Sequence, residues 1–393
     1  MITNRLFLLL AMAICSGCPV YAENTTDTTA DEIAKISVTN TLDIDRKNET
    51  VSIDLSSLNS LPNDFVVRDS GGNEIPHQTT YDNKLIFQVS LPAGSERTYV
   101  IEPGLSSPAD TLVYGRLFPE RLDDFAWEND KSAYRCYGPA FQANGSIGYG
   151  YDVWTKSVPY PILESRYHND LNHIHSYHQD DGTGMDVYDV GASLGAGATA
   201  LCDSNKIIFP TCFEKCEILD NGPVRFTVRF SMYPNSYKDK KINETRTISL
   251  DKGAFFNKTE VTYDTDMMPE SVVAGISVKE AAKDSYIINS GQGFVSYEDP
   301  TDNPHSENGV IYLALIAAEP DSAEEKIIPV NEKRGSTTAH LCLDFKFRNN
   351  SKYHYYWGGC WNKTGIADLE SWNKLVEHQA NIIRNPLIIK LSK

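Results

Sequence analysis

The stretch between residues 224 and 264 contains three short runs, VRFTVRF (224–230), TRTISL (245–250) and FNKTEVTYD (256–264). Each run is typical of a β strand, because β-branched and aromatic residues are frequent in it. Four further runs of the same kind follow: VVAGISV (272–278), GVIYLALIAA (309–318), AHLCLDFKF (339–347) and KYHYYWGG (352–359). Strand after strand with few helices between them predicts a large antiparallel β sandwich.

The end of the chain predicts one helix, from about Ile366 to Ile383. Apolar residues recur there at helical spacing, and Asn385-Pro386 ends the pattern. The run LIIKL (387–391) then predicts a final strand. We therefore assign residues 109–393 to the large sandwich domain and expect it to carry the active site.

Residues 36–108 predict a second, smaller β sandwich. Short runs that alternate apolar and polar residues are separated there by turn sequences such as Asp69-Ser70-Gly71-Gly72. The runs are ISVTNTL (36–42), ETVSIDL (49–55), FVVRD (65–69), KLIFQVSL (84–91) and TYVIEPG (98–104). The fold class predicted for the whole chain is all-β: a small N-terminal sandwich, a large antiparallel sandwich and one C-terminal helix.

The first 22 residues have the features of a signal peptide. Arg5 precedes an apolar run, and Val20-Tyr21-Ala22 resembles a cleavage site. Residues 23–35 are polar and predict a flexible leader. These features predict export to the periplasm or the extracellular space, and the alternative is a lipid anchor at Cys18. Because the chain is large enough to fold without disulfides, the six cysteines after residue 22 are expected to be buried small hydrophobic residues.

Composition excludes two kinds of partner. A net charge of -17 provides no basic face for nucleic acid. No stretch after the leader is apolar for long enough to span a membrane. An anionic substrate would need a locally basic pocket to offset the overall negative charge.

A polar segment within the large domain is the candidate wall of an active site. It reads ESRYHNDLNHIHSYHQDDGTGMDVYDVGASLGAGA (164–198) and holds four of the nine histidines, His168, His173, His175 and His178. Tyr177-His178-x-Asp180 predicts acid/base chemistry, because a histidine titrates near neutral pH and a carboxylate can fix its tautomer. His173 and His175 could instead bind a divalent metal, although no cofactor is required. The glycines Gly191, Gly195 and Gly197 predict tight turns and close backbone packing rather than a nucleotide loop.

Residues 118–141 supply a second set of candidates. Trp127, Asn129 and Asp130 are side chains that can hold a sugar, by ring stacking and by bonds to hydroxyl groups. Arg135 and Tyr137 alternate along one strand and so share a face. A guanidinium between tyrosines suits a carboxylate, whose two oxygens match its geometry.

Together these blocks resemble a bacterial family known as domain of unknown function 4861. The resemblance lies in PERLDDFAWEND (119–130), RCYGPAF (135–141), YDVWTKSVPYPI (151–162), YHQDDGTGMDVYDVG (177–191), NGPVRFTV (221–228), WNKTGIADLESW (361–372) and NPLIIKL (385–391). It implies a secreted protein of polysaccharide breakdown that dehydrates the terminal uronic acid of an oligosaccharide. Unsaturated glucuronyl hydrolases would then consume the 4,5-unsaturated product. A supersandwich of the galactose-mutarotase type is one architecture that fits such a protein.

That reaction assigns a role to each candidate residue. Arg135 would neutralise the substrate carboxylate, while His178 and Tyr188 would transfer the two protons. The remaining candidates would orient His178 or hold the sugar: Asp180, His175, Trp127, Asn129, Asp130 and Tyr137. Three alternatives stay open: a polysaccharide lyase, a hydrolase that uses two acids such as Glu128 with Asp152 or Glu164, and a glycan-binding module with exposed aromatic residues.

Overall fold

The computed structural model of the protein describes residues 32–392, except residues 59–60 and 303–306. The predicted signal peptide and most of the predicted leader lie outside the described residues. Strands account for 49% of the chain and helices for 12%, which confirms the all-β prediction.

The first seven strands form the small sandwich. They are β1 (Ala34–Thr39), β2 (Arg46–Asp54), β3 (Phe65–Asp69), β4 (Glu74–Ile75), β5 (His77–Thr79), β6 (Lys84–Leu91) and β7 (Glu96–Pro103). One sheet contains β1, β7, β3 and β4, and the other has the order β2-β6-β5. The apolar residues of each alternating strand point between the sheets, where Ile36, Val67 and Phe87 are fully buried.

A four-stranded antiparallel sheet follows, which the sequence pattern did not distinguish from the large sandwich. Its strands are β8 (Tyr114–Phe118), β9 (Asp124–Glu128), β10 (Ala133–Cys136) and β11 (Tyr151–Trp154), in the order β11-β10-β9-β8. A short helix, α1 (Pro139–Ala143), lies between β10 and β11, and a second, α2 (Leu163–Leu171), follows β11.

Two larger antiparallel sheets complete the second region. Their strands are β12 (Ala196–Asp203), β13 (Lys206–Ile208), β14 (Phe213–Asn221), β15 (Arg225–Met232), β16 (Asn235–Tyr237), β17 (Lys240–Asp251), β18 (Phe256–Thr265), β19 (Ser271–Lys279), β20 (Tyr286–Asn289), β21 (Phe294–Asp299), β22 (Ile311–Ala317), β23 (Glu324–Arg334), β24 (Thr337–Lys346) and β25 (Lys352–Trp361). One sheet has the order β14-β15-β17-β18-β25-β22-β21-β20, with β16 paired to β17, and the other has the order β13-β12-β19-β24-β23. All seven runs quoted from residue 224 onward lie in these strands.

The predicted C-terminal helix is α3 (Leu369–Arg384). The Asp368 carboxylate caps it by accepting a hydrogen bond from the Ser371 amide at 2.7 Å. Trp372, Val376 and Ala380 form its buried stripe and pack on the largest sheet. Within the described residues, no helix is long and apolar enough to cross a membrane.

The last strand, β26 (Ile388–Ser392), does not join the large sandwich as the domain assignment expected. It pairs antiparallel with β1 and becomes the edge of the first sheet of the small sandwich. The register places Ile389 opposite Val38, so that its side chain packs against the small core. The small domain is therefore built from both ends of the described chain.

Candidate active site

Residue alternation in the four-stranded sheet separates an apolar face from a charged one. Phe125, Trp127, Tyr134 and Tyr151 point into the core of the large sandwich. On the opposite face, the cross-strand register places Arg135 beside Asp152. Asp124 belongs to the same face, two residues before Ala126, which is also paired with Arg135. The segment that contains α2 and the histidines covers this charged face.

Arg135 is the centre of a buried ionic cluster. Its guanidinium contacts Asp152 Oδ2 at 2.5 Å, Asp186 Oδ2 at 2.9 Å and Asp124 Oδ2 at 3.6 Å. The residue is 4% exposed. Three carboxylates already surround the guanidinium, so it has no free pair of N–H groups for a substrate carboxylate. The geometry therefore does not support the carboxylate-binding role predicted for Arg135. Arg135 instead compensates buried negative charge.

The carboxylates of this cluster differ from ordinary surface acids. Burial raises the pKa of Asp186 well above its ordinary value, the charge of Asp152 adds to the effect, and Arg135 opposes it. Burial also raises the pKa of Asp124. Within the described part of the chain, Asp186 Oδ1 and Asp124 Oδ1 are buried without a hydrogen-bond partner. Asp186 and Asp124 therefore hold protons more readily than isolated carboxyl groups do.

His178 lies at the solvent side of this cluster, with 56% of its side chain exposed. Its Nδ1 is 2.9 Å from the carbonyl oxygen of Asp186. Because a carbonyl oxygen only accepts, Nδ1 carries the hydrogen and Nε2 of the neutral ring keeps its lone pair. Asp186 Oδ2 lies 3.7 Å from Nδ1, and the Asp186 carbonyl would continue to accept from Nδ1–H after the ring takes up a proton. This arrangement suits a general base.

Arg121 and Tyr177 complete the constellation. Arg121 Nε donates to the Tyr177 hydroxyl at 3.1 Å, and Arg135 Nη1 donates to the same oxygen at 3.4 Å. Arg121 is half-buried, and no carboxylate of the described residues lies within ion-pair distance of it. Tyr177 is buried and stacks on Trp154 at 4.8 Å between ring centroids. Arg121 is thus the cation of this site that remains available to an anion.

Arg121 and Asp186 were not predicted as site residues, although each lies in a quoted block, and Tyr177 was named only within the acid/base motif Tyr177-His178-x-Asp180. The position of Arg135 could be predicted from the alternation of side chains along a strand, which correctly places Arg135 and Tyr137 on the same face. Arg135 Nη2 donates to the Tyr137 hydroxyl at 3.2 Å. No comparable periodicity exists in the loop that carries Asp186.

The sugar-holding role expected of Trp127 requires a correction. Its side chain is fully buried, and its Nε1 donates to Asn257 Oδ1 at 2.8 Å. Trp127 is paired directly with Tyr134 across β9 and β10, so both rings lie on the core face, away from Arg135. An indole in this position stabilises the core and does not meet a ligand.

Asn129 and Asp130 likewise hold the fold together. Asn129 is fully buried, and its Nδ2 donates to the carbonyl oxygens of Asp251 and Ala254, both at 2.8 Å. Asp130 Oδ1 accepts from the Gly253 amide at 2.6 Å. These bonds fix the turn between β17 and β18, which accounts for both side chains without a sugar.

The position of Tyr188 does not fit the proton-transfer role predicted for it. Its side chain is buried, and its hydroxyl lies 2.9 Å from Ser277 Oγ. Burial raises its pKa well above the ordinary value, with the charge of Asp299 as a further cause. A phenol held in this way does not exchange protons with a substrate beside His178.

The other histidine-loop candidates lie at the surface. Asp180 Oδ1 accepts from the amides of Gly182 and Gly184 at 2.9 and 3.1 Å, so it caps a turn, whereas Asp186 orients His178. His175 Nε2 lies 3.0 Å from the Gln179 carbonyl oxygen. His173 is exposed at the end of α2. The described residues contain no group of three or more His, Cys, Asp or Glu side chains placed to hold a metal ion.

The carboxylates named for a hydrolase are all engaged elsewhere. Glu128 is fully buried, bonds Lys156 at 2.7 Å and accepts from the Leu163 amide at the start of α2. Glu164 pairs with Arg116 at 2.5 Å, and Asp152 is bound by Arg135. A pair of free acids facing a common space is not formed by these three residues.

Comparison with known proteins gives one family match and one curated relative. The model of the family described as "Domain of unknown function (DUF4861)" matches residues 38–389. The chain is 27% identical over 378 residues to "Uncharacterized protein P7" of Formosa agariphila, covering 91% of this chain and 93% of that protein.

The solved structures that share the fold include two from Enterococcus faecalis. An alpha-mannosidase from Enterococcus faecalis V583 matches with a TM-score of 0.52 and 9% identity, and a protein in the glycosyl hydrolase family 38 from Enterococcus faecalis with 0.51 and 8%. Both matches cover 92% of this chain, which spans 46% and 47% of the length of those two chains.

Proposed function

We propose that this chain, which belongs to the family described as domain of unknown function (DUF4861), is a carbohydrate-active enzyme. It eliminates water from the terminal uronic acid of an oligosaccharide. The observation that carries the proposal is His178, whose Nδ1–H is fixed by the Asp186 carbonyl while the ring stays exposed. The fold shared with an alpha-mannosidase and a family 38 glycosyl hydrolase supports a carbohydrate substrate.

The reaction needs a base, an acid and a neutralising cation. His178 Nε2 takes the C5 proton, the C–H electrons form the C4–C5 double bond, and the 4-hydroxyl leaves with a proton as water. Arg121 neutralises the substrate carboxylate in place of Arg135. One donor placed at a developing anion is worth roughly 3–4 kcal/mol.

Tyr177 is the proton donor of this proposal, in place of Tyr188. Its hydroxyl oxygen accepts from both Arg121 and Arg135, so its own hydrogen is directed elsewhere. Burial raises the pKa of Tyr177, and both guanidinium groups act in the opposite direction. The two cations would stabilise the phenolate that forms when the hydroxyl gives up its proton.

A glycan-binding module is the weaker candidate. The recognition surface expected of such a module is an exposed aromatic platform. All five tryptophans are 4% exposed or less: Trp127, Trp154, Trp357, Trp361 and Trp372. An exposed imidazole that is fixed in one tautomer is more useful for catalysis than for glycan binding.

The test is incubation with uronate-ended oligosaccharides, followed by mass spectrometry and ultraviolet absorbance of the unsaturated uronate. Loss of one water without shortening of the chain is expected. Shortened chains would indicate a lyase or a hydrolase instead of a dehydratase.

We expect His178→Ala to lower kcat/KM by about 10²–10⁴. His168→Ala is the matched control, because His168 is exposed in the same segment and its ring hydrogen-bonds to the Asn172 side chain. Equal rates for His178→Ala and the wild type would reject the mechanism.

A further inference from the structure

Arg166, in α2, is a buried cation without a directly bonded acid. The residue is 3% exposed, and no carboxylate of the described residues lies within ion-pair distance of it. Its Nη1 is also buried and has no hydrogen-bond partner in the described part of the chain. Burial lowers the pKa of Arg166 to about 10, and the charge of Asp181 opposes this effect. Because a buried charge normally costs stability unless an acid pairs with it, the other contacts of Arg166 must explain its position.

The hydrogen bonds of Arg166 join two separate segments of the chain. Its Nη2 donates to the carbonyl oxygen of Thr155 at 3.0 Å and to that of Thr183 at 2.8 Å. Its Nη2 and Nε also lie 3.2 and 3.4 Å from Thr183 Oγ1. Thr155 directly follows β11, whereas Thr183 belongs to the loop that carries His178 (residues 172–186, the histidine loop). The guanidinium therefore ties the histidine loop to the edge of the four-stranded sheet.

The same two segments pair with each other as far as Asp186. The amide of Ser157 donates to the Thr183 carbonyl oxygen at 2.9 Å, and a β-bridge joins Trp154 to Asp186. Arg166 thus holds one end of a short antiparallel pairing, and Asp186 lies at the other end.

Asp186 passes this restraint on to His178 through its backbone. Its carbonyl oxygen accepts from His178 Nδ1 at 2.9 Å, and its amide donates to the Tyr177 carbonyl oxygen at 2.8 Å. Because the ring of His178 is otherwise exposed, the position of this carbonyl decides which ring nitrogen carries the hydrogen. Residues 179–182, between the two ends of the loop, are exposed and contribute little packing that would hold it in place.

The local sequence provides the space that these contacts require. Gly184 follows Thr183, and an added Cβ there would lie 2.3 Å from the Thr155 carbonyl oxygen and 2.9 Å from Arg166 Nη2. A residue without a side chain therefore lets the loop, the guanidinium and the end of β11 meet closely. A planar guanidinium can also bond two carbonyl groups at once, which suits it better to this place than the ammonium of a lysine.

We propose that Arg166 is a positioning residue for His178. It holds the histidine loop against the end of β11, so that the Asp186 carbonyl stays on Nδ1 of the ring. Arg166 itself does not contact the reacting atoms. Its effect on turnover rests on the function proposed above, in which His178 is the base, whereas its effect on the tautomer of the ring is independent of that function.

The test is nuclear magnetic resonance of the full chain labelled with nitrogen-15 at histidine, because the nitrogen shifts identify which ring nitrogen carries the hydrogen. The spectrum of His178→Ala assigns the signals of His178. At a pH where the ring is neutral, we expect the Nδ1–H tautomer in the wild type. In Arg166→Gln we expect a mixture of both tautomers, because the Asp186 carbonyl is no longer held on Nδ1.

Arg46→Gln is the control for the loss of a buried guanidinium elsewhere. Arg46 is also buried, donates to the carbonyl oxygen of Asn385 and has an Nε without a partner among the described residues. It differs in that it pairs with Glu49, and it lies in the small sandwich. The His178 signals should therefore be the same in Arg46→Gln as in the wild type.

Arg166→Lys is the second variant, because it keeps the positive charge and tests the proposal even if Arg166→Gln does not fold. We expect mixed tautomers here as well, since the ammonium group lacks the planar fork that bonds both segments. Wild-type His178 signals in either Arg166 variant would overturn the proposal. The same change in Arg46→Gln would also overturn it, because it would show a general loosening of the fold.

Turnover provides a separate measurement. We expect kcat/KM of Arg166→Gln on a uronate-ended substrate to fall by roughly 10- to 100-fold, with Arg46→Gln at the wild-type level. A changed tautomer with an unchanged rate would reject His178 as the base and leave the positioning of its ring standing. If the wild type turns over no uronate-ended substrate, the proposed function fails, and the tautomer measurement still decides the role of Arg166.

Discussion

Arg121 and Arg135 differ in function although both contact the Tyr177 hydroxyl. Arg135 is enclosed by three carboxylates, whereas Arg121 is half-buried without such a partner among the described residues. We expect Arg135→Met to lower the free energy of unfolding by about 3–5 kcal/mol, because it leaves buried acids uncompensated. Chemical denaturation measures this value. A loss below about 1 kcal/mol would mean that the cluster does not need its cation.

Arg121→Gln should behave in the opposite way. We expect kcat/KM on a uronate-ended substrate to fall by roughly 100-fold, since one donor to a developing anion is lost. The unfolding free energy should change by less than about 1 kcal/mol. A neutral-sugar analogue of the substrate is the control, and its binding should not respond to the substitution. Full activity in Arg121→Gln would remove this residue from the site.

Asp299 provides a pH dependence that can be assigned to one residue. Burial raises its pKa to about 6, with Lys279 opposing the shift. A carboxyl group with a raised folded-state pKa stabilises the fold below its unfolded pKa, and this contribution is lost as the pH rises through the folded pKa. Relative to Asp299→Asn, the wild-type protein should therefore lose up to about 3 kcal/mol of stability between about pH 4 and about pH 7. Denaturation of both proteins across that range measures the difference, and parallel curves would contradict it.

The positions of individual site residues were predictable only where side chains alternate along a strand. The shared face of Arg135 and Tyr137 follows from alternation alone. The inward position of Trp127 depends on its pairing with Tyr134 across two strands, and register between strands is set by tertiary contacts that a single sequence does not contain. The same limit applies to Asp186, which reaches Arg135 from a loop.

At the scale of elements, the glycines before β12 explain how the loop joins the sheet. Gly195 has φ +60°, and an added Cβ would lie 2.2 Å from the Tyr151 carbonyl oxygen. Gly191 has φ +52°, but its added Cβ would meet only Asp189 Oδ1 at 3.6 Å. Both conformations and the close approach at Gly195 agree with the turns predicted from sequence.

These two positions make a matched pair. Gly191→Ala should cost about 1 kcal/mol, the penalty for a left-handed backbone with a side chain. Gly195→Ala should cost more than about 3 kcal/mol, because backbone must also move. Thermal or chemical unfolding of the two variants provides the comparison. Equal losses of stability in the two variants would show that the backbone of β11 moves easily to accommodate the added methyl group.

Elements with long apolar runs or helical spacing were predicted well. The seven strand runs quoted from residue 224 onward and the end of α3 follow from local pattern, and Asn385-Pro386 does end the helix. The same region also contains strands that were not predicted, among them β21 and β23. Strands β8 to β11 were not recognised as a separate sheet, because they are only four or five residues long. In such short strands, charged residues on one face interrupt the apolar pattern.

At the scale of the whole molecule, the small sandwich depends on β26. Deletion of residues 387–393 removes the partner of β1 and the packing of Leu387 and Ile389 against the small core. We expect a loss of about 2–4 kcal/mol of stability in that domain. Limited proteolysis followed by mass spectrometry should show faster cleavage within residues 36–108. Lys390→Ala, at an exposed position of the same strand, is the control. Unchanged cleavage after the deletion would mean that the small sandwich is complete without β26.

The pairing of β26 with β1 also sets an order of events during synthesis. The ribosome makes the small sandwich first, but the edge of its first sheet stays open until residue 392 has emerged. During that interval β1 presents unpaired backbone groups that can recruit another nascent chain. Pairing with β26 then closes the edge, so that a product terminated before residue 387 would keep an open strand edge, which favours aggregation.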